Sequence, residues 1–387
     1  MPPHILFITE RYPPDAGGVA SSAGRISRAL AALGADVDVV AWTRSLPAGQ
    51  IERNGAANPT IYRLGRYREW DATMPHTMNL LDWLTGTRRY DAVWGHYVSL
   101  AGFMAVWYGR LNATPSIVSI RGNDLDRDVF PPGDFSRLEW TLRHATLVAG
   151  VTRELARKAH AVTGRDDILY IPNAVDHETF APGEPDAGLR RQLGIEENEA
   201  ILGFAGELRE KKGLTHLIDA LRAVRDRRPA CLLLIGDVRP SETPRLLQQL
   251  GPGPLAGQRV IITGQLATPA EVVRHLHLCD VYLQPSLWDG MPNALLEAMS
   301  AGCGAIASDA GGIPEMIEPG VDGVIVPRHQ LHRLSEAILE WLDAAPEVRA
   351  RIRRAARARI LRDFTFDAER RALSEALRAL TPPHYSE

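Results

Sequence analysis

The chain has 387 residues, 45% of them apolar and 24% charged, a balance ordinary for a soluble globular protein. Its 44 basic and 47 acidic residues leave a net charge of −3, so no global pull toward nucleic acid is expected. The length exceeds one ordinary core and suits two domains of about 150–200 residues.

The opening MPPHILFITERYPP lacks a basic leader, and its apolar run is too short for a signal peptide. No run approaches the roughly 20 apolar residues of a membrane span, so a soluble, cytoplasmic protein is expected. Cys231, Cys279 and Cys303 show no metal spacing and read as buried, reduced thiols.

Short apolar runs alternate with longer amphipathic ones. HILFI (4–8) precedes a helical pattern over 19–33, then DVDVVAW (36–42). Residues 43–88 read as irregular. DAVWG (91–95), a helix over 98–111, SIVSI (116–120), a helix over 135–144, TLVAG (146–150), a helix over 152–162 and ILYIP (168–172) complete a first series. Strands alternating with helices predict βαβ units and a parallel sheet. The Pro/Gly break FAPGEPDAG (180–188) is followed by a second series: strands at 200–206, 231–237, 259–264, 281–285, 304–309 and 323–327, with helices between them. The expected domains are 1–172 and 173–365, with a C-terminal helix over 366–387 packing back on the first. In open parallel sheets ligands bind beyond the carboxyl ends of strands, so the loops that follow strands are the places to look for chemistry.

Three such loops stand out. In TERYPPDAGGVASSAG, Gly17 and Gly18 sit between a strand and a helix, where backbone amides can approach a phosphate; a plain structural turn is the alternative. In FAGELREKKGL, Arg209, Lys211 and Lys212 cluster before the helix-opening Gly213. They form an anion clamp or a solvated loop. Lysine occurs elsewhere only at Lys158, and Lys212, nearest the helix start, is the better clamp. In LWDGMPNALLEAMSAG, Pro292 suits a helix first turn, which leaves the amides of Asn293, Ala294 and Leu295 for an anion. Glu297 interrupts an apolar helical face. A carboxylate there needs a partner, and two adjacent sugar hydroxyls would serve. Together the three loops describe a nucleoside-diphosphate site.

GELREKKG followed by DGMPNALLEAMSAG resembles the retaining GT-B glycosyltransferases of glycosyltransferase family 4. Matches run along the whole chain, among them GGVASSAGRISRAL, DAVWGHY, SIRGND, IPNAVDHETFAP, VIITGQL and DAGGIPEMIEPGVDGVIVP. The resemblance implies two facing Rossmann-like parallel-sheet domains with an interdomain cleft. It also implies no metal or other cofactor, a nucleotide-sugar donor as substrate, and an acceptor hydroxyl on a glycan, lipid-linked sugar or small molecule. By position, Glu297 resembles the family glutamate that grips the donor ribose. Asp289 falls at the glutamate that contacts the donor sugar, one methylene shorter. Lys212 resembles the lysine on the diphosphate. Gly17 and Gly18 resemble the N-domain phosphate loop, and Gln265 and Leu266 the segment that meets the base. Asn173, Asp176 and Phe180 resemble the interdomain segment.

The family often has Arg where this chain has Glu207, and Arg209 is expected to supply that charge. Arg121 stands where many members have a histidine near the reacting centre. His96 and Asp124 are further acceptor-side candidates, with a structural role as the alternative for His96. DVD (36–38) and DLD (124–126) only imitate a D-x-D metal motif. The Arg-rich segment 348–364 reads as a solvated helical face or as a weak contact with an anionic membrane. No oligomeric state is implied. A catalytically degenerate binding partner and a nucleotide-sugar 2-epimerase are the alternative functions.

Overall fold

The computed structural model describes residues 2–15, 17–54, 57–127, 129–250 and 259–380. The chain divides into two compact units. One runs Met1–Asn173 and takes up the chain again from Glu369; the other is Ala174–Ala368.

In the first unit the described strands are β1 (His4–Thr9), β2 (Asp36–Thr43), β3 (Ile51–Asn54), β4 (Thr60–Gly65), β5 (Ala92–His96), β6 (Ser116–Ile120), β7 (Leu147–Gly150) and β8 (Ile168–Tyr170). They form one sheet of order β3-β4-β2-β1-β5-β6-β7-β8. Every pair is parallel except β3–β4. The central strands read as unbroken apolar runs because both faces are covered. Ile5 and Phe7 of β1 point into one core with Ala23, Ile26 and Leu30 of the Gly18–Ala32 helix. Leu6 and Ile8 point into another, with Trp42, Leu80, Leu81 and Met104, as the two-residue period of a strand requires. The first core is closed by Leu373, Ala376 and Leu380 of the Phe366–Leu380 helix. That burial is why the end of the chain belongs to the first unit. The part of the expected final helix beyond residue 380 lies outside the described residues.

The 43–88 region is not irregular. It holds β3, β4 and an 18-residue helix, Trp70–Thr87. Two features hide that helix. Pro75 sits inside it, and two of its buried positions are Thr73 and Thr77 rather than aliphatic residues. Thr77 bonds back to the Thr73 carbonyl at 2.8 Å and accepts the Trp42 indole N–H at 2.8 Å, so its hydroxyl is satisfied in the core. Trp70, Met74 and Met78 pack on the same core.

The second unit is a six-stranded sheet of order β11-β10-β9-β12-β13-β14, all parallel. Its strands are β9 (Ala200–Ala205), β10 (Ala230–Ile235), β11 (Val260–Ile262), β12 (Val281–Gln284), β13 (Ala305–Ser308) and β14 (Val324–Val326). The order reverses at β9–β12, so the loops after these two strands flank a topological switch point. The Arg-rich segment is the helix Pro346–Asp363, which buries Ile352, Ala356 and Ile360. It is not simply a solvated face. Arg353, Arg357 and Arg359 turn inward to carbonyls and carboxylates. None of the described helices is long and apolar enough to cross a membrane.

Candidate active site

In the second unit the loop after β9 turns at Gly206 and closes into a single 3-10 turn, Glu210–Lys212. Gly213 then opens the Leu214–Arg225 helix at φ +83°. A Cβ there would lie 2.2 Å from the Pro285 carbonyl oxygen, so only glycine lets this loop press against the one after β12. The Leu287 N–H donates to the Lys211 carbonyl at 2.8 Å and joins the two loops.

Across that seam the Lys212 ammonium donates to Asp289 Oδ2. Their side chains are only 16% and 12% exposed. Ser286 Oγ also donates to Asp289 Oδ2, at 3.2 Å; Gln284 Nε2 donates to Ser286 Oγ at 2.8 Å, and the Tyr282 hydroxyl to Gln284 Oε1 at 2.8 Å. A polar chain thus runs from the core of β12 to the lysine. Tyr282 and Gln284 of β12, and Ser286 two residues beyond, are spaced by two in an otherwise apolar run. That spacing is the sequence signal that could have revealed them, since a strand buried on both faces is normally apolar throughout. Burial alone would raise the Asp289 carboxyl, but Lys212, Lys211 and the bond from Ser286 hold it below its usual range. From the other side Gly311, at φ +52°, would place a Cβ 1.7 Å from the Asp289 carbonyl. The Gly312 N–H donates to the Gly290 carbonyl at 2.8 Å.

Glu297 lies in the Asn293–Ser300 helix. Both Glu297 and Asp289 reach the buried Tyr282 electrostatically and, after burial itself, help push its phenol well above its ordinary value. Both acids therefore lie within electrostatic reach of Tyr282. Pro292 is the N-cap, not the first helical residue. The Leu295 N–H is already given to the Pro292 carbonyl at 3.2 Å, and the Leu295 side chain is in the core. Leu295 is therefore removed from the expected anion-binding amides, and Asn293 and Ala294 remain. Asn293 Oδ1 is buried and has no hydrogen-bond partner among the described residues.

Glu207 accepts from Arg239 at 2.8 Å and lies 3.6 Å from Arg209. Instead of repelling an anion unopposed, it gathers two guanidinium groups at the mouth of this loop, and Arg239 was not foreseen. Gln265 is exposed and Leu266 half-buried just after β11. The Gly236 N–H bonds Thr263 Oγ1 at 3.0 Å and ties that loop to the end of β10. All these groups lie along the carboxyl edge of one sheet.

In the first unit, Gly17 caps the Gly18–Ala32 helix at φ +119° with open space where a Cβ would be. His96 ends β5 and is fully buried, with Nε2 2.8 Å from Ser22 Oγ and its ring stacked on Phe7. Burial, then Arg121 and Arg25, hold it neutral. Through Ser22 it fixes the helix to the sheet, while its Nδ1 is buried with no hydrogen-bond partner among the described residues. Asp124 is likewise spent on backbone: it accepts the N–H groups of Val98, Arg121 and Gly122. Beside it Tyr97 adopts φ +94°, a costly conformation outside glycine, and no sequence pattern announced it. Arg121 and Arg25 both donate to Asn173 Oδ1, and burial, then Arg25, push Arg121 down to about 10. In the second unit Asp176 caps its own turn through Glu178 and Thr179, and Phe180 is buried.

A β9–β12 switch point bounded by a lysine loop and a two-acid helix start is the arrangement of an α/β ligand-binding enzyme. Comparison with known proteins agrees. Residues 17–174 match the family model described as "Glycosyl transferase 4-like domain", and residues 187–359 match "Glycosyl transferases group 1". The chain belongs to the group 1 glycosyltransferases of GT-B fold. It is 25% identical over 350 residues to the GDP-mannose-dependent alpha-(1-6)-phosphatidylinositol monomannoside mannosyltransferase of Mycobacterium tuberculosis, covering 87% of this chain and 89% of that one. It is 25% identical over 394 residues to that organism's alpha-maltose-1-phosphate synthase, covering 94% and 95%. Among solved structures, sucrose-phosphate synthase from Thermosynechococcus elongatus superposes with a TM-score of 0.80 at 19% identity, over 98% of this chain and 99% of that one. Anabaena HepE in complex with UDP-glucose gives 0.80 at 19% identity, over 97% and 99%.

Proposed function

We propose that the protein is a retaining, metal-independent hexosyltransferase that moves a sugar from a nucleoside-diphosphate-sugar to an acceptor hydroxyl. The observation that carries this reading is the buried Lys212–Asp289 pair, set beside Glu297 and the open amides of Asn293 and Ala294. In it the diphosphate lies against Lys212, Arg209 and those amides, whose fixed positive ends replace a metal in neutralising the leaving group. Glu297 takes the ribose hydroxyls, and the unpartnered Asn293 Oδ1 accepts a further hydroxyl of the donor. Mycobacterial relatives named for GDP-mannose and a structural neighbour bound to UDP-glucose are consistent with such a donor.

Asp289 is engaged by Lys212 and Ser286, which makes it a poor nucleophile and a good positioning group for the sugar and the lysine. That engagement supports a front-side attack. The anomeric carbon–phosphate oxygen bond breaks, the acceptor oxygen bonds that carbon from the same face, and the acceptor proton passes to the departing phosphate oxygen.

NMR of each donor with the enzyme and a panel of hydroxyl acceptors tests the reading. The expected product keeps the donor's anomeric configuration and forms with EDTA present. Inversion, a strict need for added metal, or epimerisation of donor without acceptor would contradict it.

A further inference from the structure

The second unit has a concave site at the opposite end of its sheet. Asp280 immediately precedes β12, and Gly302 lies just ahead of β13. Both line a cavity of about 470 Å³ together with Pro182 and four arginines, Arg349, Arg353, Arg354 and Arg357. The donor groups follow the carboxyl ends of the same strands, about 13 Å away along a four-residue strand. The cavity is therefore not a lobe of the donor site. Its volume falls in the range of small-molecule pockets.

What sets this cavity apart is uncompensated charge. On the same helix Arg359 pairs with Glu318 and Asp322, and Arg362 with Asp363. Among the described residues, none of the four cavity arginines pairs with a carboxylate. Arg357 is held by the carbonyls of His177, Phe180 and Ser300. Arg353 donates Nη2 to the Asp280 carbonyl at 2.8 Å and lies over the Trp341 ring. Its Nε–H is buried with no acceptor. The Asp280 carboxylate is turned to the Ile201 N–H at 2.8 Å. Arg349 and Arg354 complete the rim from successive turns. Two guanidinium groups fixed by backbone carbonyls and two more at the rim, none paired with a carboxylate among the described residues, gather in one concavity, an arrangement that suits a phosphate group.

We infer that this cavity binds a small phosphorylated ligand at a second site, remote from the donor. The chemical class is a soluble phosphate ester or diphosphate, because the surface is concave and small rather than broad and flat. The inference stands apart from the donor reading, since no donor group contributes to the cavity.

Calorimetric titration with inorganic pyrophosphate tests it, on the wild type, on Arg349→Ala/Arg354→Ala and on Lys212→Ala. The expected result is a binding event weakened at least about tenfold in the double variant but retained in Lys212→Ala. Loss only in Lys212→Ala would assign the event to the donor site and overturn the inference. So would equal binding by all three proteins. Phosphatidylglycerol vesicles form the second arm: arginine-dependent sedimentation without pyrophosphate binding would mean a membrane surface and would also overturn it. Should the double variant not fold, Arg354→Ala alone, at an exposed position, carries the same comparison.

Discussion

Lys212 and Asp289, 77 residues apart, meet as a nearly buried ion pair across the seam between two strand-end loops. The acid both holds the cation and is held by it. We therefore expect the two residues to act as a unit. Lys212→Ala is expected to lower kcat/KM about 10²–10³-fold, the usual cost of losing one charge-stabilising donor. Asp289→Asn is expected to cost a similar factor, and the double variant far less than the product of the two. Multiplying effects in steady-state kinetics would show the residues to be independent.

Arg209→Ala is expected to raise donor KM by a smaller factor than Lys212→Ala, because Glu207 already shares its charge with Arg239. Unchanged KM and kcat would remove Arg209 from the clamp.

The same pair sets an acid limit. With its carboxyl held below the ordinary 3.8, Asp289 contributes stability that is fully present above that value. The contribution fades as pH falls through the lower folded-state value. His96 acts at milder pH. It is buried neutral, with its folded value well below 6.5, so stability is full above 6.5 and falls on acidification below it, by up to about 1.4 kcal/mol per pH unit. His96→Gln is expected to flatten Tm between pH 6.5 and 5. An unchanged slope would mean that the ring is not held neutral by burial.

Much of this was legible because a parallel sheet covered on both faces writes itself as apolar runs. HILFI, SIVSI and CLLLI become β1, β6 and β10. Lys212 and Glu297 stand out in the sequence because an ammonium before a helix and a carboxylate on an apolar face each lack an ordinary reason to be there. The Trp70–Thr87 helix was hidden because threonines and Pro75 stand where aliphatic residues would mark the period. The burial of His96 against Ser22 and Phe7, and the Val98 N–H given to Asp124, depend on neighbours distant in sequence. No local pattern reports them.

Glu369, 1% exposed, receives Arg25 Nε at 2.7 Å, so the last helix is tied to the first unit by charge as well as by Leu373. Glu369→Ala leaves a nearly buried guanidinium without its carboxylate and is expected to cost about 3–5 kcal/mol. Leu373→Ala is expected to cost about 2–5 kcal/mol. Chemical denaturation of each variant checks both values, and losses below about 0.5 kcal/mol would show the helix to be a loose appendage.

Gly311→Ala is expected to raise donor KM more than it lowers Tm, because its Cβ would displace the Asp289 backbone while the core beneath stays intact. A fall in Tm with donor KM unchanged would separate this loop from the site.

The most direct measurement of the central claim is a thermal-shift titration of UDP-, GDP-, ADP- and TDP-sugars into the wild type and Lys212→Ala. Binding to the folded state raises Tm. One base is expected to stabilise the wild type clearly and the variant weakly or not at all. Equal stabilisation of both proteins, or none by any nucleotide, would contradict a donor site built on Lys212 and Asp289.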